Sequence, residues 1–89
     1  MSTVFIAFQT NDETRSIIDA VLADNPHAQL DVQPAMVKIN AEGKLVIKRE
    51  SIEERLGRPF DLQELQVNLI TLSGNIDEDD DQFTLAWRN

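Results

Sequence analysis

The sequence predicts an α+β fold in one small domain that spans residues 1–89. Three observations lead to this prediction: some segments have the length and residue types of strands, others show helical spacing, and the two kinds intermingle irregularly along the chain. With 42% apolar and 27% charged residues, the 89-residue chain can bury one modest core. We therefore expect short antiparallel sheets and hairpins with two to three short helices.

The first strand and the first helix are predicted from residue type and spacing. Residues 4–8 are apolar and too few to show helical periodicity, which is typical of a buried strand. Asn11 and Asp12 then offer side-chain oxygens for an N-cap. The apolar residues that follow at helical spacing are Ile17, Ile18, Val21 and Leu22. Asn25 and Pro26 predict the end of this helix, because proline cannot continue the helical hydrogen-bond ladder.

The middle of the chain predicts strands and a hairpin. Residues 30–32 alternate between apolar and polar, and Pro34 interrupts the pattern, which indicates an edge position. Gly43 supplies the positive φ that a tight turn needs. Residues 45–48 are therefore predicted to return along residues 36–40 as the second strand of a hairpin.

Two capping boxes and two strands are predicted in the second half. Ser51 and Glu54 form the first box, which predicts a helix of about two turns that ends at Gly57. Residues 61–64 repeat the box and lead into a strand at 67–74. Residues 82–88 alternate and predict a last strand, which leaves the aromatic residues, Trp87 included, in the packed core.

The residue inventory argues against several classes of function. A formal charge of -8 repels a phosphate backbone, so we expect no nucleic-acid partner. The chain has no cysteine and only one histidine, His27, which we expect to be solvated or hydrogen-bonded locally. We expect no cofactor and no bound metal. Because no apolar run is long enough to span a bilayer and residues 1–10 lack the pattern of a signal peptide, we expect a cytoplasmic protein without membrane contact.

An unbroken acidic run at residues 77–81 allows two interpretations. Asp77, Asp79 and Asp81 stand at the first, third and fifth places of a calcium loop, but Gln82 occupies the sixth place, where glycine is needed. We favour a solvated, self-repelling loop that could present charge to a basic partner. Basic residues gather near the second helix: Lys48, Arg49, Arg55 and Arg58. We favour a solvated patch whose charge is balanced by the nearby Glu50, Glu53 and Glu54.

Four motifs, in order along the chain, carry a resemblance to a known family. They are residues 15–20, residues 24–28, residues 56–58 with Phe60, and residues 74–81 with Phe83, Leu85 and Trp87. Over nearly its whole length the chain resembles the small effector proteins of bacterial multicomponent diiron monooxygenases, most closely the phenol hydroxylase regulatory components. The resemblance implies a cofactor-free protein that docks on the large subunit of a diiron hydroxylase.

Docking in this family controls the access of substrate, oxygen and electrons to the iron site and is required for efficient turnover. The resemblance therefore implies a regulatory protein, not itself an enzyme, in the hydroxylation of phenol or a related aromatic. The residues alone leave an alternative open, which is a stand-alone small-molecule or ion-binding module that uses the acidic loop.

The resemblance also implies which residues meet the partner. They lie on the predicted strand and the turn that follows it: Asn68, Ile70, Thr71, Leu72, Ser73, Gly74 and Asn75. Strand alternation predicts that Asn68 and Ile70 face outward, while Val67 and Leu69 face the core. The alternative is the opposite facing, with Ile70 and Leu72 in the core and Val67 and Leu69 exposed, because a run of apolar residues does not decide which face is buried.

Overall fold

Two antiparallel sheets and three helices form the fold, which a computed structural model describes for residues 3–87. In chain order the elements are β1 (Thr3–Gln9), α1 (Asp12–Asp24), β2 (Gln29–Val32), β3 (Met36–Glu42), β4 (Lys44–Lys48), α2 (Arg49–Leu56), a 3-10 turn (Leu62–Glu64), α3 (Leu65–Asn68), β5 (Leu69–Ser73), β6 (Asn75–Glu78) and β7 (Gln82–Ala86). The predicted α+β class is confirmed. Among residues 3–87, no helix has the length and apolar character needed to cross a bilayer.

The chain crosses from one sheet to the other at two glycines. The first sheet has the strand order β2-β3-β1-β5, and the second has the order β4-β7-β6. Gly43 separates β3 from β4, and Gly74 separates β5 from β6, so each glycine marks a passage from the first sheet to the second. Both have positive φ, +81° at Gly43 and +139° at Gly74.

The hairpin predicted between β3 and β4 is wrong. β4 pairs with β7 in the second sheet, with Leu45 opposite Leu85. β3 has no edge to offer β4, because β1 and β2 already occupy its two sides. The hairpin is formed by β2 and β3, and in its turn the Gln33 N–H donates to the Met36 carbonyl at 2.9 Å. Pro34 lies in this turn, and β2 is an edge strand as predicted.

The core lies between the inner faces of the two sheets and the buried face of α1. Its fully buried members include Ile6 and Phe8 of β1, Ile17 of α1 and Leu45 of β4. Burial of such aliphatic and aromatic side chains is the main favourable contribution to folding, at about 1.5–3 kcal/mol each. The α1 prediction is confirmed, since its apolar residues pack inward and the helix ends before Asn25.

The capping predictions had mixed outcomes. Asn11 caps α1, and its Oδ1 accepts from the Thr14 N–H at 2.9 Å. Asp61 likewise caps the 3-10 turn, and Gly57 ends α2 in the left-handed region. The box predicted at Ser51 is wrong, because α2 already begins at Arg49, whose N–H donates to the Asp81 carbonyl at 2.9 Å.

The aromatic residues are not all in the core. Phe8, Phe60 and Phe83 are buried as predicted. Trp87 is 43% exposed, since it lies beyond the end of β7 at Ala86, and its Nε1–H donates to the Thr3 carbonyl at 2.9 Å. Arg88, at the end of the predicted strand, lies outside the described residues.

Candidate docking surface

The predicted contact segment runs along an open edge of both sheets. β5 pairs with β1, and no other described strand pairs with it, so it forms one edge of the first sheet. β6 pairs with β7 and, within residues 3–87, forms the corresponding edge of the second sheet. Gly74 joins the two strands. Residues 69–78 therefore present one nearly continuous strand edge with a corner in its middle.

Ile70 is the extra residue of a β-bulge in this edge. Ala7 lies opposite Thr71, whereas the next residue of β1, Phe8, lies opposite Leu69, so Ile70 has no partner in β1. A bulge places two successive side chains where regular alternation would expose one. Ile70 is 46% exposed, and Thr71 beside it is also exposed.

The predicted contact residues differ in exposure: three are exposed, three are half-buried and one, Asn68, is buried. Ile70, Thr71 and Asn75 are exposed, whereas Leu72, Ser73 and Gly74 are half-buried. The outward facing of Ile70 is confirmed. The outward facing of Asn68 is wrong, because Asn68 is only 7% exposed and its Oδ1 accepts from the Asn11 Nδ2 at 2.8 Å.

Helical backbone explains the error at Asn68. α3 continues through Asn68, and β5 begins only at Leu69. Strand alternation therefore does not apply at residues 67 and 68, and Val67, predicted to face the core, is 73% exposed. Leu69 packs against the core as predicted.

Two further apolar residues of this region are exposed: Val67, which only the alternative facing placed outward, and Ile76, which the sequence analysis did not single out. Val67 precedes the edge strand, and Ile76 lies in β6 opposite Leu85. Both are at least half exposed. Val67 is exposed on the helical backbone of α3, since β5 begins only at Leu69, and Ile76 is exposed on the edge strand β6. The residue pattern alone reveals neither feature. With Ile70 they make the edge more apolar than its polar neighbours suggest.

Gly74 brings the edge close to the core. A Cβ at this position would lie 2.9 Å from Leu85 Cγ, which is closer than carbon atoms approach, and 3.0 Å from Val4 Cγ1, which is a very tight contact. Only glycine fits this approach together with a φ of +139°. The corner between β5 and β6 is therefore supported directly by buried side chains.

The acidic run is an ordered hairpin tip and not a loose loop. Asp77 and Glu78 belong to β6, and Asp79 Oδ1 accepts from the backbone N–H groups of Asp81 at 2.8 Å and Gln82 at 2.9 Å. These two bonds hold the pKa of Asp79 below its usual value. The run is exposed, as expected for a solvated segment.

Ion pairs tie this tip and the basic residues to the body of the protein. Arg49 Nη2 lies 2.9 Å from Asp81 Oδ1. Arg49 also lies 4.0 Å from Glu53, one of the expected partners, whereas Arg58 pairs with Glu64 at 3.3 Å and with Glu13 at 3.7 Å. Within residues 3–87, no group of three or more histidine, aspartate or glutamate side chains is arranged to hold a metal ion.

His27 and its neighbours follow the first helix and contact the second sheet. His27 Nε2 lies 2.9 Å from the Lys44 carbonyl oxygen, so the histidine is hydrogen-bonded as expected, but to β4 and not within its own loop. Asn25 is buried, and its side-chain amide is bonded to backbone groups of Val21 and Val46. The segment therefore has a structural role at the margin of β4.

Comparison of the sequence with models of known protein families identifies the family of this chain. The model of the MmoB/DmpM family matches residues 2–86. The chain belongs to the MmoB/DmpM family. Membership confirms the resemblance that the four sequence motifs carried, and their residues lie at the α1 face, the margin of β4, the end of α2 and the β6–β7 hairpin.

Two relatives in the MmoB/DmpM family are named as regulators of monooxygenases. The chain is 53% identical over 88 residues to the phenol 2-monooxygenase stimulatory component DmpM of Pseudomonas sp. (strain CF600), covering 99% of this chain and 98% of the relative. It is 30% identical over 83 residues to the effector subunit of the alkene monooxygenase system of Xanthobacter autotrophicus (strain ATCC BAA-1158 / Py2), covering 91% of this chain and 82% of that subunit.

Solved structures of MmoB/DmpM relatives have the same fold. A structure of a phenol hydroxylase–regulatory protein complex contains a chain that is 53% identical and superposes with a TM-score of 0.94, covering 98% of this chain and 100% of that chain. The regulatory protein B of soluble methane monooxygenase is 24% identical, with a TM-score of 0.78, and covers 97% of this chain and 65% of that one. At this identity the likeness shows that the two proteins share a fold, and it carries no statement about function.

Proposed function

We propose that this chain is the regulatory component of a multicomponent phenol hydroxylase. It docks on the large subunit of a diiron hydroxylase, supplies no cofactor, and makes the hydroxylation of phenol or a related aromatic efficient. The similarity to the stimulatory component of phenol 2-monooxygenase, over nearly the full length of both chains, carries this proposal. The weaker similarity to an alkene monooxygenase effector favours an aromatic substrate over an alkene.

Regulation by docking requires differential binding. An effector raises turnover only to the extent that it binds the active arrangement of the hydroxylase more tightly than the resting arrangement. A tenfold change in the ratio of the two arrangements needs about 1.4 kcal/mol of differential binding free energy. A small surface that fits only one arrangement can supply this difference, and no catalytic group on the effector is needed.

We assign the docking surface to the edge formed by β5 and the turn after it. Ile70, Thr71 and Asn75 are its exposed side chains, and the half-buried residues 72–74 between them, which end β5 and form the corner, support it. The bulge holds Ile70 outward on a strand anchored to β1, so little conformational entropy is lost when a partner covers it. Exposed apolar residues on an ordered edge are suited to protein contact.

Substitution of Ile70 tests this surface against a matched control. Ile70→Asp and Val32→Asp both place a charge at an exposed apolar position on an edge strand of the first sheet, but on opposite edges. We expect both variants to keep their thermal stability. Ile70→Asp should abolish stimulation of phenol hydroxylation by the hydroxylase and its reductase, whereas Val32→Asp should leave it unchanged. Equal stimulation by the two variants would refute the assignment.

A cytoplasmic location is also proposed. It accords with the proposed function, because a protein that docks on the hydroxylase must share the compartment of that hydroxylase. Fractionation of the producing cells, with the hydroxylase followed in parallel, tests this proposal.

A further inference from the structure

The hydrogen bond between Asn11 and Asn68 links the start of α1 to the start of the docking edge. Asn11 Nδ2 donates to Asn68 Oδ1 at 2.8 Å, across 57 positions of sequence. Asn68 is buried and is the last residue of α3, immediately before β5. It therefore lies two residues before the bulge at Ile70 but does not itself reach the surface.

Asn11 is a fixed anchor for this bond. Its Oδ1 accepts from the Thr14 N–H at 2.9 Å, and its own N–H donates to Thr14 Oγ1 at 3.0 Å. Thr14 is buried, and its hydroxyl also lies 2.7 Å from the carbonyl oxygen of Gln9, the last residue of β1. The Asn11 side chain is thus held by β1 and α1 together, and its Nδ2 is left to reach Asn68.

The backbone around Asn68 needs such an external fixed point. α3 has four residues, and an isolated helix of that length is not stable in water. The position at which helix changes to strand must therefore be set by tertiary contacts. That position decides which residue faces Phe8 in β1, and with Leu69 in that place Ile70 becomes the bulged residue.

We propose that the Asn11–Asn68 hydrogen bond sets the bulge at Ile70, so that Asn68 acts from inside the protein as a positioning residue for the docking surface. This inference rests on the proposed function of the β5 edge. It changes the role of Asn68 from a direct contact, as the sequence predicted, to a residue that holds Ile70 and Thr71 in the geometry that the hydroxylase recognises.

Two variants remove the bond from opposite sides. Asn68→Ala removes the acceptor. Asn11→Ser removes the donor but keeps a side-chain oxygen that can cap α1, since serine is a good N-cap residue. Ile52→Val, a small loss of volume in the buried side of α2, is the control for lowered stability without a change near β5.

The measurements are the effector concentration that gives half-maximal stimulation of phenol hydroxylation and the amide NMR shifts of residues 69–72. We expect each of the two variants to raise the half-maximal concentration about tenfold with little change in the maximal rate, and the double variant to add little more, because both changes remove one bond. The amide shifts of residues 69–72 should move in both variants. Ile52→Val should change neither quantity.

The outcomes separate this inference from the proposed function. If Ile70→Asp abolishes stimulation but Asn11→Ser and Asn68→Ala leave the half-maximal concentration unchanged, the positioning role is wrong and the docking surface stands. A rise with Ile52→Val equal to that with Asn68→Ala would show a general effect of stability and would also overturn the role. If Ile70→Asp itself leaves stimulation intact, the docking surface is wrong, and the positioning role is refuted with it.

Discussion

The side-chain amide of Asn25 is hydrogen-bonded to both backbone polar groups of Val46. Asn25 Nδ2 donates to the Val46 carbonyl at 2.6 Å, and the Val46 N–H donates to Asn25 Oδ1 at 2.9 Å. Val46 lies in the middle of β4, which pairs with β7 on its other side. Asn25 therefore occupies the positions that a further strand would take. His27 continues this contact at Lys44, and the two residues together close the margin of the second sheet.

Asn25→Ala is expected to destabilise the protein. It removes the partner of the Val46 N–H and carbonyl and also the bond from Asn25 Nδ2 to the Val21 carbonyl at 2.7 Å. An unsatisfied buried polar group costs about 1–3 kcal/mol. The free energy of unfolding, measured in urea, should therefore fall by about 1–3 kcal/mol or more, because several groups lose their partner. Gln29→Ala, at an exposed position, is the control and should stay within about 0.5 kcal/mol of the parent. Equal stability of the two variants would contradict the role of Asn25.

Part of the fold was predictable because its causes are local. The cap at Asn11, the stop at Asn25 and the left-handed end at Gly57 depend on neighbouring residues, and each was confirmed. Strand pairing depends on which edges are already occupied. The residues around Gly43 fit a hairpin turn and a crossing between sheets equally well, and only the pairing of β1 and β2 with β3 decides for the crossing.

The two crossing glycines should respond differently to alanine. At Gly43 an added Cβ meets nothing within 4 Å. Gly43→Ala should therefore lower the free energy of unfolding only by the strain of placing alanine at a positive φ, about 1–2 kcal/mol. At Gly74 the Cβ also collides with Leu85 and Val4, and Gly74→Ala should cost about 2–5 kcal/mol. The measurement is the free energy of unfolding of both variants. A larger loss at Gly43 than at Gly74 would show that the corner of the docking edge is not supported as described.

The candidate site was predictable as a segment but not in its facing. The resemblance indicated Asn68 and residues 70–75, and alternation predicted the exposure of Ile70. Alternation failed at Val67 and Asn68 because a four-residue helix, too short to show a period, precedes the strand. The bulge was equally hidden, since it appears only in the register of β5 against β1. Both features arise from tertiary contacts, in which the Asn11–Asn68 bond takes part.

The turn at the acidic tip should depend on pH through Asp79. The hydrogen bonds from the Asp81 and Gln82 N–H groups lower the pKa of Asp79 in the folded protein. Their stabilising effect is therefore complete above the ordinary aspartate pKa, about 4, and is lost as the pH falls through the lowered folded value. The amide shifts of Asp81 and Gln82 should titrate below the ordinary pKa, and in Asp79→Asn this titration should disappear. A titration that persists in the variant would assign it to another carboxyl.

The remaining acidic side chains of the tip should act on the rate of docking and not on folding. Within residues 3–87, Asp77, Glu78 and Asp80 form no side-chain hydrogen bond and no ion pair with the described residues, in contrast to Asp79 and Asp81. Their conversion to the corresponding amides should leave the free energy of unfolding within about 0.5 kcal/mol per substitution. The folded protein would keep its shape and lose three negative charges at one end.

Charge of this kind attracts a basic partner over a distance and is screened by salt. We expect the triple variant to associate with the hydroxylase more slowly at low ionic strength, as measured by stopped-flow mixing, with a nearly unchanged dissociation rate. The difference should vanish near 1 M salt, where the Debye length is about 3 Å. The control removes the same charge from exposed positions elsewhere: Asp19, Asp31 and Glu42. Both variants have the same net charge. An equal decrease of the association rate in the two would therefore assign the effect to total charge. A decrease in the tip variant alone would place the acidic hairpin beside a basic surface of the partner.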